Sequence, residues 1–280
     1  MTTTVTAPAQ PAAVRRPAAI PNVSNHISVR QTIANSLTMA YRGILKMRHN
    51  PEQLFDVTIQ PVLFTALFAY IFGGAIGGSV HNYLPVLIPG ILVQTVVLTS
   101  VVTGTQLRED MDKGVFDRFK SLPIARVAAL SGALLADMVR YVIATTLTVV
   151  VGLILGYRPH GGVAGVVVAG LIVVFCSFAI SWIWALVGVT GKSAASVQGI
   201  SMMIMFPLTF MSGAFALVKT MPGWMQAIDK ANPVYYMVNA GRELMNGNIY
   251  SSNIVWCLVG SLIVIAIFAP LAIRAYMRRA

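Results

Sequence analysis

Charge is scarce in this chain. Asp, Glu, Lys and Arg make up only 10% of its 280 residues, against about a quarter in a soluble domain. Acids are scarcer than bases, 9 against 20. Cysteine is nearly absent. Cys176 and Cys257 sit singly in apolar stretches, a pattern that argues against a disulfide framework or a thiolate metal site and reads as small packing residues. The four histidines, His26, His49, His81 and His160, are scattered, so neither a metal cluster nor a catalytic constellation is legible. A nucleotide-binding loop is missing too. Gly191-Lys192-Ser193 resembles the end of one, but the glycine required five residues earlier is Leu186, and Gly188 is out of register. The N-terminus shows no apolar run followed by a cleavage site, so a cleaved signal peptide is not expected and the first apolar span takes over that role.

What the chain has instead is long apolar runs. Hydrophobic residues are 56% of it and the mean hydropathy is +0.74. Six runs, 57–76, 84–105, 138–157, 163–189, 197–217 and 254–276, approach or exceed the roughly 20 residues that cross a hydrocarbon core as a helix. Unpaired backbone groups are not tolerated in lipid, so these runs are expected to be helices; barrel strands would be half as long and would alternate. The fold class expected is an all-α membrane protein. It has six transmembrane helices, an N-terminal amphipathic interfacial helix and a short re-entrant outer helix between spans five and six.

The net charge of +11 invites a nucleic-acid reading that the positions of the charges exclude. Fifteen of the 20 basic residues lie before span one, between spans two and three, between spans four and five, or after span six. With six spans, all four regions fall on one side, and the positive-inside rule makes that side, with both termini, cytoplasmic.

Residues 1–26 are rich in Thr, Ala and Pro and are expected to be a disordered cytoplasmic tail. Within 27–50, Val29, Ile33, Leu37, Tyr41 and Ile44 form an apolar stripe flanked by Arg30, Arg42, Lys46 and Arg48. That pattern predicts a helix lying against lipid headgroups. Residues 51–280 form the six-span domain. Span two carries Pro89-Gly90 and a polar stripe of Gln94, Thr95, Thr99 and Thr103, read as inter-helix glue or as part of a transport path.

The loop from Gln106 to Ile124 holds four acids and four bases interrupted by Val115, Phe116 and Phe119. Pairs at i,i+4, Arg108–Asp112 and Lys113–Asp117, would lace a helix. Aromatic anchors ringed by charge are how docking hot spots look. Asp137 and Arg140 follow, three residues apart. As intramembrane charges they are functional candidates; an i,i+3 ion pair near the cytoplasmic interface is the plainer reading. Span five carries a Met-rich stretch with Pro207. After it, Asn232, Pro233 and Gly247 mark the cap, first turn and end of a short helix whose stripe is Val234, Met237, Val238, Gly241, Leu244 and Met245.

Vectorial transport needs an energy source that this chain does not encode. A gradient-driven carrier relies on acids or histidines within its spans, and only Asp137 is available. Borrowing an ATPase through the charged loop is the stronger option.

Several stretches carry a family resemblance. Phe206-Pro207, Ser212-Gly213, Met221-Pro222-Gly223-Trp224, Asn232-Pro233, Arg242 and Gly247 resemble the signature of type 2 ABC-transporter permeases. Lys113-Gly114-Val115-Phe116-Asp117-Arg118-Phe119 with Leu122-Pro123-Ile124 is similar to their cytoplasmic coupling segment. Three further stretches, His49–Asp56, Leu87–Val93 and Val151–Pro159, are similar to the daunorubicin/doxorubicin resistance permease group. The resemblance spans about residues 29–276. It implies a dimer of permeases with two copies of a separate ATP-binding subunit, which holds the ATP and Mg; no cofactor is expected in this chain. It implies an ATPase-docking loop at Lys113, Gly114, Val115, Phe116, Asp117, Arg118, Phe119 and Pro123. It also implies a dimer contact through spans one and five, which by helix position brings Phe64, Phe68, Met203, Phe206 and Phe210 near the central path, beside Gln94 and Thr95. The expected function is a plasma-membrane permease subunit exporting a bulky hydrophobic compound such as an antibiotic, in contact with membrane lipids and not with nucleic acid. The alternatives are ABC-type export of a lipid or glycoconjugate, and a gradient-driven carrier acting alone.

Overall fold

The computed structural model describes residues 28–48, 51–115, 126–216 and 218–279. Among them are nine α-helices and no strand: α1 (Val29–Arg48), α2 (Pro51–Gly77), α3 (Val80–Asp112), α4 (Arg126–Ile154), α5 (Gly162–Thr190), α6 (Ala194–Met211), α7 (Gly223–Asp229), α8 (Pro233–Met245) and α9 (Ser252–Arg279). Six of these, α2 to α6 and α9, are long and apolar enough to cross a membrane. Two boundaries differ from the sequence reading. Span three begins at Arg126, twelve residues earlier than read, because the Ala- and Leu-rich turns before Met138 continue the helix. Span five ends at Met211, where Ser212 and Gly213 turn the chain.

The bundle is built around α3. Its 33 residues rise about 1.5 Å each, to roughly 50 Å, well past a 30 Å hydrocarbon core. The excess, Gln106–Asp112, carries the first half of the charged loop out of the bundle as helix. Helices α2, α4, α5, α6 and α8 all pack on α3, which is buried nearly throughout. The tightest crossing is with α5. A Cβ on Gly188 would lie 2.3 Å from the Gly104 carbonyl oxygen, so only glycine permits this approach. Lipid tails are as apolar as leucine, so close backbone contact and hydrogen bonds must supply helix association here. Trp184 Nε1 adds one, donating to Ser100 Oγ at 3.1 Å across the same contact.

Helix α1 rests on α4 by its small-residue face. Ser36 and Ser131 hydroxyls meet at 2.8 Å, and Ala40 and Met47 are buried. The apolar stripe points the other way, with Ile33, Leu37 and Tyr41 more than half exposed. Helix α9 packs on α5 and α8. There the two cysteines, single in the sequence, come together as free thiols with Sγ atoms 3.1 Å apart.

Replacing Gly188 by Ala therefore forces α3 and α5 apart. The expected cost is about 1–3 kcal/mol, typical of overpacking. A lower melting temperature of the solubilised protein reads it out. The same change at Gly260, whose Cβ would meet open space, should leave the melt where it is or raise it slightly.

Candidate transport cleft

Helices α2 and α6 both rest on α3, and between them a cleft opens. It holds a cavity of about 410 Å³, within the range of ligand pockets. One wall is α2 (Phe55, Val57, Ile59, Gln60, Leu63, Phe64). The floor is α3 (Leu98, Thr99, Val102) with Arg140 of α4, and the other wall is Gln198 and Met202 of α6. The lining is thus mostly apolar with a few convergent polar groups.

Toward the end of the bundle that carries α7 and α8, the cleft is bridged by aromatic rings. Phe64 stacks on Phe68 at 5.9 Å between centroids, Phe68 on Phe215 at 4.3 Å, Phe215 meets Phe210 at 5.0 Å, and Phe210 stacks on Phe206 at 5.5 Å. Offset rings at these distances attract beyond their area burial. The bridge joins α2 to α6 through Phe215, a residue of the turn after α6.

That turn is held by Arg242 of α8, a buried guanidinium that pairs with no carboxylate among the described residues. It donates to the carbonyl of Gly213 at 2.5 Å, to Ala214 at 3.2 Å and to Val86 at 3.0 Å. Val86 lies in the turn of α3 between Pro85 and Pro89. Tyr83 donates its hydroxyl to the Phe215 carbonyl at 2.6 Å. A Cβ on Gly90 would come within 1.8 Å of the Ala214 oxygen, so the turn lies directly on the α3 backbone. Helix α8 reaches this position through its caps. The Asn232 side chain accepts from Val234 N at 3.0 Å, and Gly247 takes a positive φ of 86° after the last turn. Its stripe, Val234, Met237, Val238, Gly241, Leu244 and Met245, is buried against the bundle.

At the charged end, Arg140 and Asp137 form a buried ion pair, 3% and 9% exposed at the side chain. Thr103 of α3 donates to the other Asp137 oxygen, and the Thr103 and Tyr141 hydroxyls are 3.2 Å apart. This is the i,i+3 pair read from the sequence, but buried between helices, eleven residues into α4, because that helix starts earlier than read. A smaller cavity of about 70 Å³, lined among others by Lys46, Gln106, Asp110, Asp137 and Arg140, lies on its far side. Lys46 and Asp110 pair across it at 2.7 Å.

The other expected site residues distribute as follows. Phe64 lines the cavity, and Phe68, Phe206 and Phe210 belong to the aromatic bridge. Met203 points away from the bundle, 72% exposed; its neighbour Met202 faces the cavity. Gln94 and Thr95 are buried in α3 outside the lining, with Thr95 donating back to the Ile91 carbonyl at 2.7 Å. Arg108 pairs with Asp112 as expected. Lys113 pairs with Glu109 at 3.3 Å, and Lys113, Gly114 and Val115 close α3 with Gly114 at φ 66°. Phe116, Asp117, Arg118, Phe119 and Pro123 lie outside the described residues. Sequence reasoning missed Phe215 and Gln198, and it met Arg242 only as part of a motif. A lone arginine in an apolar helix that follows Asn-Pro was the available signal.

Six spans around an intramembrane cleft define a multi-pass membrane permease. The chain belongs to the ABC-2 type transporter family, which it matches over residues 35–246. It is 44% identical over 249 residues to the daunorubicin resistance ABC transporter permease protein DrrB1 of Streptomyces coeruleorubidus, covering 88% of this chain and 87% of that protein. It is also 26% identical over 177 residues to the Mycobacterium tuberculosis protein named "probable doxorubicin resistance ABC transporter permease protein DrrC", covering 62% of this chain and 63% of that one.

Arg242→Gln strips the turn after α6 of its charged donor. Each orphaned buried carbonyl costs about 1–3 kcal/mol. Limited proteolysis should then cut between residues 211 and 223 where the parent resists. A variant with parental protection would mean that the Tyr83 hydrogen bond and the aromatic stack hold the turn without it.

Proposed function

We propose that this chain exports a bulky apolar compound of the anthracycline type, powered by a separate ATP-binding subunit, and that the α2–α6 cleft is the compound's route. The observation that carries this reading is the cavity itself. It is drug-sized and apolar-walled, it sits beside the charged end, and the stacked rings of Phe68, Phe215 and Phe210 block it on the opposite side. The names of the relatives, daunorubicin and doxorubicin resistance permeases, support the cargo class. The distribution of Lys and Arg supports an orientation with both termini cytoplasmic in the cell membrane, so the cavity faces the cytoplasmic half and the aromatic bridge closes the outer half. In that orientation the exposed stripe of α1, with its basic flanks, lies against the inner headgroups, and the α7–α8 hairpin caps the outer leaflet.

The ATPase docks on Lys113–Ile124, the stretch that follows α3 in the sequence. Helix α3 is the central member of the bundle, so a push on its end reaches every spanning helix packed on it. A second permease copy covers the apolar face formed by Leu63, Leu67, Met203, Phe206 and Phe210, all exposed here, giving two permeases with two ATPases. ATP and Mg belong to the partner. Export follows when the two arrangements of the bundle alternate. A carrier driven by protons or sodium is disfavoured because Asp137 is engaged on both oxygens, by Arg140 and by Thr103.

Phe116→Ala combined with Phe119→Ala should abolish drug-stimulated ATPase in membranes while the chain still inserts. Buried aromatic anchors are commonly worth about 2 kcal/mol each or more. Unchanged stimulation would remove the docking assignment. Phe206→Ala, by shortening the aromatic bridge, should change the relative rates at which different drugs are exported from loaded cells. A drug profile identical to the parent's would return that residue to plain packing.

A further inference from the structure

Helix α1 has three faces, set by a turn of about 100° per residue. Ser36, Ala40 and Met47 are buried and share the first. Ile33, Leu37, Tyr41 and Leu45 are exposed and share the second, about a right angle from the first. Arg42 and Lys46 fall on the third, turned away from both. There Lys46 pairs with Asp110, on the charged extension of α3, at 2.7 Å. A helix lying on a bilayer surface at the edge of a bundle needs this arrangement. One side meets protein, a side at right angles to it meets hydrocarbon, and the remainder meets water.

Two cations break this division. Arg30 and Arg48 are exposed and pair with no acid among the described residues. They stand eighteen residues apart, which is five complete turns and roughly 27 Å. Both therefore fall on the second face, at the two ends of the apolar stripe and in line with it. Helix α1 holds no acid to offset them. In water, such a stripe would have no reason to carry its charges in line with leucine and isoleucine. Against a bilayer the placement fits, because an arginine stem stays along the hydrocarbon while its head turns up to the headgroups. The planar fork of the guanidinium matches a phosphate with two parallel hydrogen bonds.

We propose that α1 selects anionic phospholipids, that Arg30 and Arg48 are the residues that read the headgroup charge, and that Arg42 and Lys46 take no part in it. The proposal rests on the placement of α1 against the headgroups and adds to it a charge requirement and the residues that set it. Zwitterionic lipid satisfies the stripe equally well, since Ile33, Leu37 and Tyr41 meet the same acyl chains. Net negative charge at the headgroup is what the two arginines add a preference for, and it falls off within a Debye length of the surface. Lys46 is already engaged with Asp110, so the third face is committed to the protein. The competing occupant of the second face is a segment of another protein, which would make the face indifferent to lipid.

The test uses the full chain with its ATP-binding partner in lipid nanodiscs. Two probes carry the same diazirine-bearing acyl chain, one on phosphatidylglycerol and one on phosphatidylcholine, and mass spectrometry quantifies labelling of residues 29–48. The parent is expected to favour the phosphatidylglycerol probe at least about fivefold, or about 1 kcal/mol, the contribution of one basic residue at such a surface. In Arg30→Gln/Arg48→Gln that ratio should fall to near one while phosphatidylcholine labelling persists. In Arg42→Gln/Lys46→Gln it should stay at the parental value. Equal labelling by both probes in the parent overturns the charge requirement and leaves the helix on the membrane. Absence of labelling by either probe overturns the placement as well and gives the face to a protein. A ratio lost in the Arg42/Lys46 pair and kept in the Arg30/Arg48 pair overturns the assignment of residues. Melting temperatures report folding of both pairs. If either pair does not fold, raising the salt concentration should lower the parent's ratio without any substitution, and a ratio indifferent to salt overturns the proposal.

Discussion

A single buried cation, Arg242, holds the end of the bundle that carries α7 and α8 in shape. It pairs with no acid among the described residues; its partners are three backbone carbonyls from two distant segments. One carbonyl comes from a turn of α3 flanked by prolines, and two come from the turn that ends α6. A lysine would bring a point charge to this place, whereas the planar fork of arginine reaches two segments at once. By fixing Gly213 and Ala214 it positions Phe215, whose own carbonyl Tyr83 holds, and Phe215 joins the rings of α2 to those of α6. The closure of the cleft therefore rests on a hydrogen-bond cluster on α8, a helix that does not cross the membrane. That separation suits a transporter. The bridge shares α2 and α6 with the walls, and Phe64 belongs to both, but the ring that joins the two sides, Phe215, is set by the turn and not by a wall.

The bundle is unevenly packed, and the unevenness maps onto function. On one side α3 and α5 touch backbone to backbone at Gly104 and Gly188, with Trp184 and Ser100 adding a hydrogen bond across the contact. On the other side α2 and α6 diverge, leaving the cavity and an exposed apolar face. In lipid there is no hydrophobic drive between helices, so a pair that must stay together needs small residues and hydrogen bonds, and a pair that must separate can do without them. Rigid α3–α5 and loose α2–α6 are the two halves of one device. Helix α3 belongs to both, since α2, α5 and α6 all pack on it.

Much of this was legible in the residues. Six spans, the short helix from Pro233 and the Arg108–Asp112 pair follow from apolar length, capping residues and i,i+4 spacing, all of them local signals. The aromatic bridge was half legible: Phe64, Phe68, Phe206 and Phe210 were reached from helix position, but Phe215 sits in a turn where no periodicity points. Its role comes from tertiary contact: Tyr83, 132 positions away, donates to its carbonyl, Phe68 stacks on its ring and Phe210 meets it. Gln94 and Thr95 show the opposite case. A polar stripe on an apolar helix looks like a path, yet on a helix surrounded on all faces the hydroxyl of Thr95 is satisfied by its own backbone. The i,i+3 spacing gave the Asp137–Arg140 pair, but its burial against Thr103 of α3 is a tertiary contact that no local spacing shows.

The two buried arginines divide the cleft between them. Arg242 spends its donors on backbone carbonyls and holds the turn that carries Phe215. Arg140 donates to Asp137, whose other oxygen is held by Thr103 of α3, and so ties α4 to α3 beside the cavity. One arginine fixes the end of the cleft that the rings bridge, and the other fixes its floor.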